Sequence, residues 1–430
     1  MLQQKRKFGF ETRMLHAGYI PDPVTGARAT PIYQTTSYVF EDTDKAAQLF
    51  ELKQYGNIYT RINNPTTAVF EERIASLENA TGAVATASGM AAQLTTMMTL
   101  LEPGDEIVSS SHLYGGTVTQ FTHTFRKLGL ETHFVDPTDI ENWAAAITPK
   151  TKALYGETIG NPRGSILDIE RLADLAHAHQ IPLIVDSTFA TPYLCRPLDW
   201  GADIVVHSAT KFIGGHGNSI AGVLLDSGKF DFSTFPSIAA PDPAYHDLRF
   251  YETFGHYGFL MKARAVTVRD TGAALSPFNS FLLIQGLETL SVRMERHVQN
   301  AQTVAQFLSE HPKVSWVAYA GLPDSPYRTL AQKYTPKGPG AVFTFGIKAS
   351  NPRLAGKEFI ESLHLFSHLA NVGDARSLVI HPASTTHQQL SDAQLEAGGV
   401  DASMIRLSIG LESVEDLTWD LDQALLSTSV

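Results

Sequence analysis

Short apolar runs alternate with helical patterns between residues 82 and 226, and this alternation limits the chain to a few folds. Runs such as IPLIVDS (181–187) and ADIVVHS (202–208) are too short for typical helices. They are also apolar on both faces, which is typical of strands buried in a parallel sheet. Helical periodicity lies between such runs, over Met90–Leu101 and Ile169–His179. The pattern predicts an α/β fold with a mostly parallel sheet covered by helices on both faces.

Changes in this pattern divide the chain into three parts. Residues 1–62 are rich in Tyr, Thr, Pro and Gly and predict an arm that lies on other structure. Residues 63–277 predict the large domain, in which the aromatic and proline-rich stretch 226–277 reads as an insertion. Residues 278–430 predict a long linking helix and a smaller α/β domain, which includes a helix over Phe359–Leu369.

The charge and cysteine content exclude several classes of protein. The 430 residues include 33 Lys and Arg against 44 Asp and Glu, a net charge of -11, which disfavours binding to nucleic acid or anionic membranes. We see no apolar stretch long enough to span a membrane and no signal peptide, so we expect a cytoplasmic protein. Cys195 is the single cysteine, which excludes an intrachain disulfide and a thiolate metal cluster.

Several chemically useful side chains stand where predicted strands end. Taken singly, each has an ordinary explanation: Ser88 can cap a helix, as Asp168 can before the helix at Ile169, and Lys211 can be a surface charge. Ligands in parallel sheets bind beyond the carboxyl ends of the strands, so we expect the strand-end residues to share one crevice. They are Ser88, Gly89, Met90, Asn161, Asp186, Ser208, Thr210 and Lys211.

The combination predicts a cofactor. A helix start at Gly89 with the hydroxyls of Ser208 and Thr210 makes a cradle for phosphate. Lys211 would lie beside that phosphate, and Asp186 would face the opposite edge of the ligand. Pyridoxal 5'-phosphate (PLP) needs all three features: an anchored phosphate, a lysine for its aldehyde and a carboxylate for its ring nitrogen.

Two other kinds of site fit the sequence less well. A nicotinamide site needs G-x-G-x-x-G between a strand and a helix, and IGGHGN (213–218) lacks that spacing. His177 and His179 are two residues apart on a predicted helix and cannot share a metal. No H-E-x-x-H motif occurs in the sequence, so we predict no metal site.

The chain resembles the Cys/Met-metabolism family of fold-type I PLP enzymes, with matches in order from about residue 8 to the C-terminus. The resemblance implies the fold-type I architecture, a large mostly parallel-sheet domain with a smaller C-terminal α/β domain. The motifs that carry it are YTRINNPT (59–66), SGMAA (88–92), LYGGT (113–117), IGNP (159–162), VDSTFATPY (185–193), HSATKFIGGHG (207–217), HPASTTH (381–387) and IRLSIG (405–410).

The resemblance also implies residue roles. Lys211 would form the covalent link to the cofactor, Asp186 would pair with the ring nitrogen and Tyr114 would stack on the ring, which makes these three the implied catalytic residues. The other implied cofactor contacts are Gly89, Met90, Ser208 and Thr210 at the phosphate, Asn161 at the ring hydroxyl, and Tyr59 and Arg61 from a neighbouring subunit.

Substrate contacts are implied for Arg406, Asn371 and Tyr114. Arg406 would grip a substrate carboxylate with its two-pronged guanidinium. A protein that only stores or displays PLP needs no such arginine, so the resemblance favours an enzyme.

Within the family, the chain is most similar to the O-acetylhomoserine sulfhydrylase branch, by length, by the aromatic stretch and by residues 368–390. This implies γ-replacement, in which O-acetylhomoserine and sulfide, or a thiol, give homocysteine, or methionine, and acetate. Methionine γ-lyase and the cystathionine synthases and lyases stay open as alternatives. Gly116 stands where methionine γ-lyases typically carry cysteine, which disfavours that branch. A homotetramer of dimers that share active sites is also implied.

Overall fold

A seven-stranded sheet forms the larger part of the computed structural model, which describes residues 6–382, 385 and 401–429. The strand order is β1-β7-β6-β5-β4-β2-β3, and β7 alone runs antiparallel to its neighbours. The mostly parallel sheet predicted from the apolar runs is therefore confirmed. The strands are β1 Gly82–Thr86, β2 Glu106–Ser110, β3 Glu131–Val135, β4 Thr151–Glu157, β5 Leu183–Asp186, β6 Ile204–His207 and β7 Gly222–Asp226.

Helices cover both faces of this sheet. In β5, Leu183 and Val185 pack into one core and Ile184 into the other, as expected of a strand buried on both faces. The helices of this part are α1 Phe10–His16, α2 Thr43–Phe50, α3 Pro65–Glu78, α4 Gly89–Leu100, α5 Gly115–Thr119, α6 Phe125–Lys127, α7 Ile140–Ala146, α8 Ile169–Ala178, α9 Thr191–Leu194, α10 Pro236–Ala239, α11 Phe250–Phe254, α12 Gly258–Lys262 and α13 Arg269–Thr271, with π-helical turns at Gln120–Thr124 and Ala263–Val268.

The aromatic stretch builds the core on the α4 face. Phe232, Phe250 and Phe259 are buried there, and the rings of Phe232 and Phe259 stack at 5.5 Å. Their apolar area explains why a stretch of short helices is held in place without regular periodicity. Cys195 is buried in the core on the opposite face, as a packing residue.

A five-stranded sheet forms the C-terminal part. It follows two helices, α14 Pro277–Leu287 and α15 Leu290–Glu310, and its order is β10-β11-β12-β9-β8. The strands are β8 Val314–Ala318, β9 Val342–Ile347, β10 Ser367–His368, β11 Leu378–Ile380 and β12 Met404–Ser408, and the helices are α16 Arg328–Tyr334, α17 Pro352–Ser362 and α18 Val414–Ser427. The stretch 383–390 used in the resemblance lies outside the described residues, apart from Thr385.

The helix predicted over Phe359–Leu369 is wrong in its bounds. α17 begins at Pro352, where the Asn351 side chain accepts from the Leu354 N–H at 3.2 Å, and ends at Ser362. The buried carboxylate of Asp420 then accepts the backbone N–H groups of residues 364 and 365, each at 2.8 Å. These bonds turn the chain into β10, and their acceptor is far away in sequence.

The predicted cap of α8 also differs. The Asp168 side chain makes no capping hydrogen bond. Instead the Tyr334 hydroxyl donates to the Asp168 carboxylate and accepts the Glu170 N–H at 3.1 Å. A tyrosine from α16 thus satisfies the N-terminus of α8.

Among the described residues, no helix combines the length and the apolar character needed to cross a membrane.

Candidate active site

One cavity of about 250 Å³ lies where β4, β5 and β6 end, against loops of the C-terminal part. Its lining residues are up to 318 positions apart in the chain, from Ser88 to Arg406, and they include the strand-end residues that were expected to share one crevice. The predicted residues that line it are Ser88, Gly89, Met90, Tyr114, Asn161, Asp186, Ser208, Thr210, Lys211, Asn371 and Arg406.

The start of α4 forms one end of the cavity. Ser88 caps the helix by accepting the Ala91 N–H at 3.1 Å. A Cβ atom on Gly89 would lie 2.6 Å from the Cβ of Ser208, and one on Gly222 would lie 2.0 Å from the Ser88 carbonyl oxygen. Glycine is therefore required for the close approach of α4 to the Ser208 turn. The first N–H groups of a helix lack intrahelical acceptors, so this end of the cavity suits a phosphate.

Asp186 lies at the end of β5 with its carboxylate oxygens oriented by neighbours. Oδ1 accepts the Thr188 N–H at 2.9 Å, and Oδ2 accepts from the Gln93 side-chain amide at 3.3 Å. Burial raises the pKa of Asp186, and the hydrogen bonds from Thr188 oppose that rise. A cation in the cavity, such as a protonated ring nitrogen, would favour its charged form.

Lys211 is partly buried, and no carboxylate pairs with it among the described residues. Its Nζ donates to Asn371 Oδ1 at 2.5 Å. Burial, aided by the nearby charge of Arg406, lowers the pKa of Lys211 from 10.5 to about 8. The neutral amine is the nucleophilic form, so the site prepares this lysine to react with an aldehyde.

Tyr114 stands at the mouth of the cavity and is 51% exposed. Its N–H donates to Glu157 Oε1 at 2.7 Å, and a Cβ on Gly116 would lie 2.4 Å from its Cε1. Burial, and then the charge of Asp186, raise the pKa of Glu157 well above its ordinary range. The backbone of Tyr114 is therefore held by a buried carboxyl, while its ring packs closely over the backbone of Gly116.

Arg406 lies across the cavity from Lys211, on β12. Its Nη1 donates a long hydrogen bond of 3.4 Å to Asn161 Oδ1, and burial lowers its pKa. No carboxylate pairs with it among the described ion pairs. A partly buried guanidinium without a carboxylate partner suits a carboxylate ligand, which it can bind through two hydrogen bonds.

Tyr59 and Arg61 do not line the cavity of their own chain. The Arg61 guanidinium lies 5.5 Å from the Tyr59 ring centroid and donates to the Arg269 carbonyl. That they complete the site of a neighbouring subunit stays a prediction.

Three polar lining residues were missed by the sequence analysis, namely Gln93, Glu157 and Thr188. Glu157 ends β4 as Asp186 ends β5, so the strand-end rule could have found it. Gln93 lies one turn beyond Gly89 on α4, where helical spacing points to the same side. Thr188, whose hydroxyl accepts the Ser208 N–H at 2.8 Å, gives no local signal because its role depends on the neighbouring strand.

Comparison with known proteins identifies the family. A family model described as Cys/Met metabolism PLP-dependent enzyme matches residues 11–426. The chain belongs to the Cys/Met-metabolism family of PLP-dependent enzymes. Its cofactor is therefore PLP, and the cavity of this family member fits that group: a helix start and two hydroxyls suit its phosphate, a partly buried amine its aldehyde and a partly buried carboxylate its ring nitrogen.

Individual members of the family match this chain over nearly their whole length. It is 50% identical to O-acetyl-L-homoserine sulfhydrylase of Leptospira meyeri, covering 98% of this chain and 97% of the relative. It is 51% identical to homocysteine synthase of Schizosaccharomyces pombe, with 97% and 98% covered.

Solved structures of family members have the same fold. An O-acetylhomoserine (thiol)-lyase chain from Campylobacter jejuni, solved with a pyridoxyl-lysine phosphate, matches with a TM-score of 0.94 and 39% identity over 98% of this chain and 100% of that one. Cystathionine γ-lyase of Lactobacillus plantarum, complexed with L-serine, matches with a TM-score of 0.84 and 33% identity over 98% and 99%. The predicted fold-type I architecture is thereby confirmed.

Proposed function

We propose that this protein is a PLP-dependent O-acetylhomoserine sulfhydrylase. It would exchange the acetate on Cγ of O-acetylhomoserine for sulfide, giving homocysteine and acetate. The observation that carries the proposal is the single cavity that holds Lys211, Asp186, Tyr114 and Arg406 together. This set offers a base, a carboxylate for the cofactor ring and a cation for an amino-acid carboxylate.

The choice of ester and sulfur donor is supported by the relatives. Three relatives that are 50–51% identical over nearly the full length are named O-acetyl-L-homoserine sulfhydrylase, in two cases, and homocysteine synthase, in one. The cystathionine γ-lyase neighbour is less similar, at 33% identity, and keeps elimination as the second candidate reaction.

Each residue of the cavity is assigned a task in this proposal. Arg406 binds the substrate carboxylate, and Asn371 lies close enough to orient both Lys211 and the bound substrate. Lys211 removes the proton from the substrate Cα and later returns protons to the carbon chain. Bound PLP supplies the electron sink for this chemistry. Asp186 keeps the proton on the ring nitrogen, and Tyr114 packs against the ring.

The phosphate is assigned to the N–H groups of Gly89 and Met90 and to the hydroxyls of Ser208 and Thr210. The Thr210 hydroxyl already bonds both the Ala221 carbonyl and N–H, at 3.1 and 3.0 Å. The N–H bond fixes the position of the hydroxyl, and its single proton would turn from the Ala221 carbonyl to donate to the phosphate. The Asn161 amide, 3.4 Å from Arg406, is assigned to the ring hydroxyl.

Product analysis tests the reaction directly. The PLP-loaded protein is given O-acetylhomoserine with and without sulfide, and the products are identified by mass spectrometry. Homocysteine and acetate that form only with sulfide would support the proposal. If 2-oxobutyrate and ammonia form instead at the same rate in both samples, the protein is an eliminating enzyme of the family and the sulfhydrylase proposal is wrong.

We further infer a cytoplasmic homotetramer built from dimers. The support is the N-terminal arm, on which large apolar side chains lie exposed in the single chain, among them Ile20, Val24 and Val39. Exposed apolar surface of this kind is typical of an interface. With a second copy packed on the arm, Tyr59 and Arg61 would reach the neighbouring phosphate site.

A further inference from the structure

Helix α15 carries a stripe of buried polar side chains that lies outside the cavity. Arg293, His297 and Asn300 are spaced i, i+4 and i+7, which places them on one face of the helix. They are 5%, 0% and 2% exposed. Burying a polar group destabilises the fold unless the group is hydrogen-bonded. The hydrogen-bond partners of these three side chains therefore identify the segments that the helix fixes in place.

Arg293 holds the turn that carries Lys211. Its Nη1 donates to the Phe212 carbonyl at 2.7 Å, and its Nη2 donates to the Ile213 carbonyl at 3.2 Å. A Cβ on Gly215 would lie 2.2 Å from Nη1, so the turn is packed directly against the guanidinium. Burial lowers the pKa of Arg293 to about 10, and no carboxylate partner is present among the described ion pairs. Two successive carbonyls next to Lys211 are thus fixed by one side chain.

Asn300 holds the chain that follows Arg406. Its Nδ2 donates to the carbonyls of Gly410 and Glu412 at 3.0 and 2.9 Å. These residues lie in the segment just after β12, the strand that carries Arg406 and ends at Ser408.

His297 lies between these two and contacts both sides. Burial lowers its pKa to about 4, so the ring is neutral and its Nδ1–H donates to the Ile409 carbonyl at 2.7 Å. The same ring packs edge-on against Phe212, with centroids 5.1 Å apart. One imidazole therefore joins the residue after Lys211 to the end of the Arg406 strand.

We propose that Arg293, His297 and Asn300 form a rigid spacer that sets the separation of Lys211 from Arg406. A substrate gripped by its carboxylate at Arg406 then has its Cα within reach of Lys211. The three are positioning residues, because none of them lines the cavity and they act through backbone carbonyls beside Lys211 and beyond Arg406. The inference rests on the roles proposed above for Lys211 and Arg406, and preorganisation of this kind is what keeps reacting atoms in productive geometry.

The test measures substrate-analogue binding and turnover in the PLP-loaded full-length protein. The probe is L-2-aminobutyrate, an amino acid without a leaving group on Cγ, and its binding is followed by the change in cofactor absorbance. Asn300→Ala is expected to raise both its Kd and the KM for O-acetylhomoserine about tenfold, because the Arg406 strand loses two hydrogen bonds. The affinity for PLP should be unchanged. Arg293→Lys is expected to disturb the turn that carries Lys211. It should lower kcat, while the Kd for L-2-aminobutyrate changes less than in Asn300→Ala.

A double-mutant cycle separates positioning from general stability. If Asn300 acts through Arg406, Asn300→Ala should add little to the Kd once Arg406→Lys is present. The control is Thr99→Val, which removes a buried hydrogen bond to Thr267 far from the cavity and should lower thermal stability without changing Kd or kcat. Unchanged Kd in Asn300→Ala, or fully additive effects in the cycle, would overturn the spacer.

Two features keep the test decisive. Asn300→Ser keeps one donor and should show a smaller increase in Kd, so it serves if Asn300→Ala does not fold. Binding of L-2-aminobutyrate needs no turnover. A wild-type protein that binds it but makes no homocysteine would contradict the sulfhydrylase proposal. The spacer would then still be tested by the Kd values of the double-mutant cycle.

Discussion

At the scale of single residues, burial decides the chemistry of the cavity. Lys211 and Arg406 are both partly shielded from water, and neither is paired with a carboxylate among the described residues. A cation that is shielded from water and has no carboxylate partner is stabilised most by binding an anionic ligand or by losing its proton. Both side chains are therefore suited to act on a bound ligand. Asp186 is the counterpart, a partly buried carboxylate that suits a cation.

The lowered pKa of Lys211 predicts a pH dependence. The neutral amine reacts with the cofactor aldehyde, so the rate at which the PLP-free protein captures PLP should rise with pH and level off above about 8. A free lysine derivative such as Nα-acetyl-lysine is the control, and its rate should continue to rise to about pH 10.4. Stopped-flow absorbance measures both rates. A protein rate that follows the free derivative would mean that Lys211 is solvated.

If Arg406 binds the substrate carboxylate, its substitution should change KM more than kcat. Arg406→Lys keeps the charge but loses the planar fork, so the KM for O-acetylhomoserine should rise roughly 10- to 100-fold, as expected for one lost charged hydrogen bond. The change in kcat should be smaller. The control is Arg249→Lys at an exposed position, which should change neither constant. A normal KM in Arg406→Lys would place the carboxylate elsewhere.

At the scale of elements, several helix and strand ends are set by side chains from distant parts of the chain. Tyr334 of α16 closes the N-terminus of α8, and Asp420 of α18 stops the helical course after α17. α15 also fixes distant segments through side chains, and these segments belong to the cavity. Its buried polar stripe bonds both the turn that follows Lys211 and the chain that follows the strand of Arg406.

The tyrosine cap of α8 predicts a local loss of stability. Tyr334→Phe removes the hydroxyl that joins Asp168 to the Glu170 N–H, so the first turn of α8 should lose about 1 kcal/mol. Faster amide hydrogen exchange in peptides covering residues 168–172 measures the effect, and kcat should be unchanged. Tyr327→Phe is the matched control, because the Tyr327 hydroxyl has no hydrogen bond among those described. Equal exchange in the two variants would contradict the cap.

At the scale of the whole molecule, the cavity belongs to neither sheet alone. The large sheet contributes Asp186 and Lys211, and the C-terminal part contributes Asn371 and Arg406. The described arm places Tyr59 and Arg61 away from the cavity of its own chain. A complete site therefore requires both parts of one chain and, in our proposal, the arm of another.

Subunit mixing tests the shared site. Lys211→Ala and Arg61→Ala chains should each be impaired alone. A randomly mixed population should recover about a quarter of wild-type activity, because half of the dimers are mixed and each mixed dimer has one intact site of two. Differently tagged chains show whether mixed dimers form. Mixed dimers that show no recovery would place Arg61 outside the neighbouring site.

The sequence by itself determined the α/β class, the mostly parallel sheet and most of the cavity. Periodicity is local and each strand end is marked by the apolar run before it, so Asp186, Ser208 and Lys211 could be placed on one edge without coordinates. The tertiary structure decided the end of α17, the cap of α8, the hydrogen-bonding of Gln93 and the link made by α15. Each of these depends on a contact between residues far apart in the chain. The local sequence pattern does not specify which distant side chain will fill a buried position, so these contacts could not be predicted.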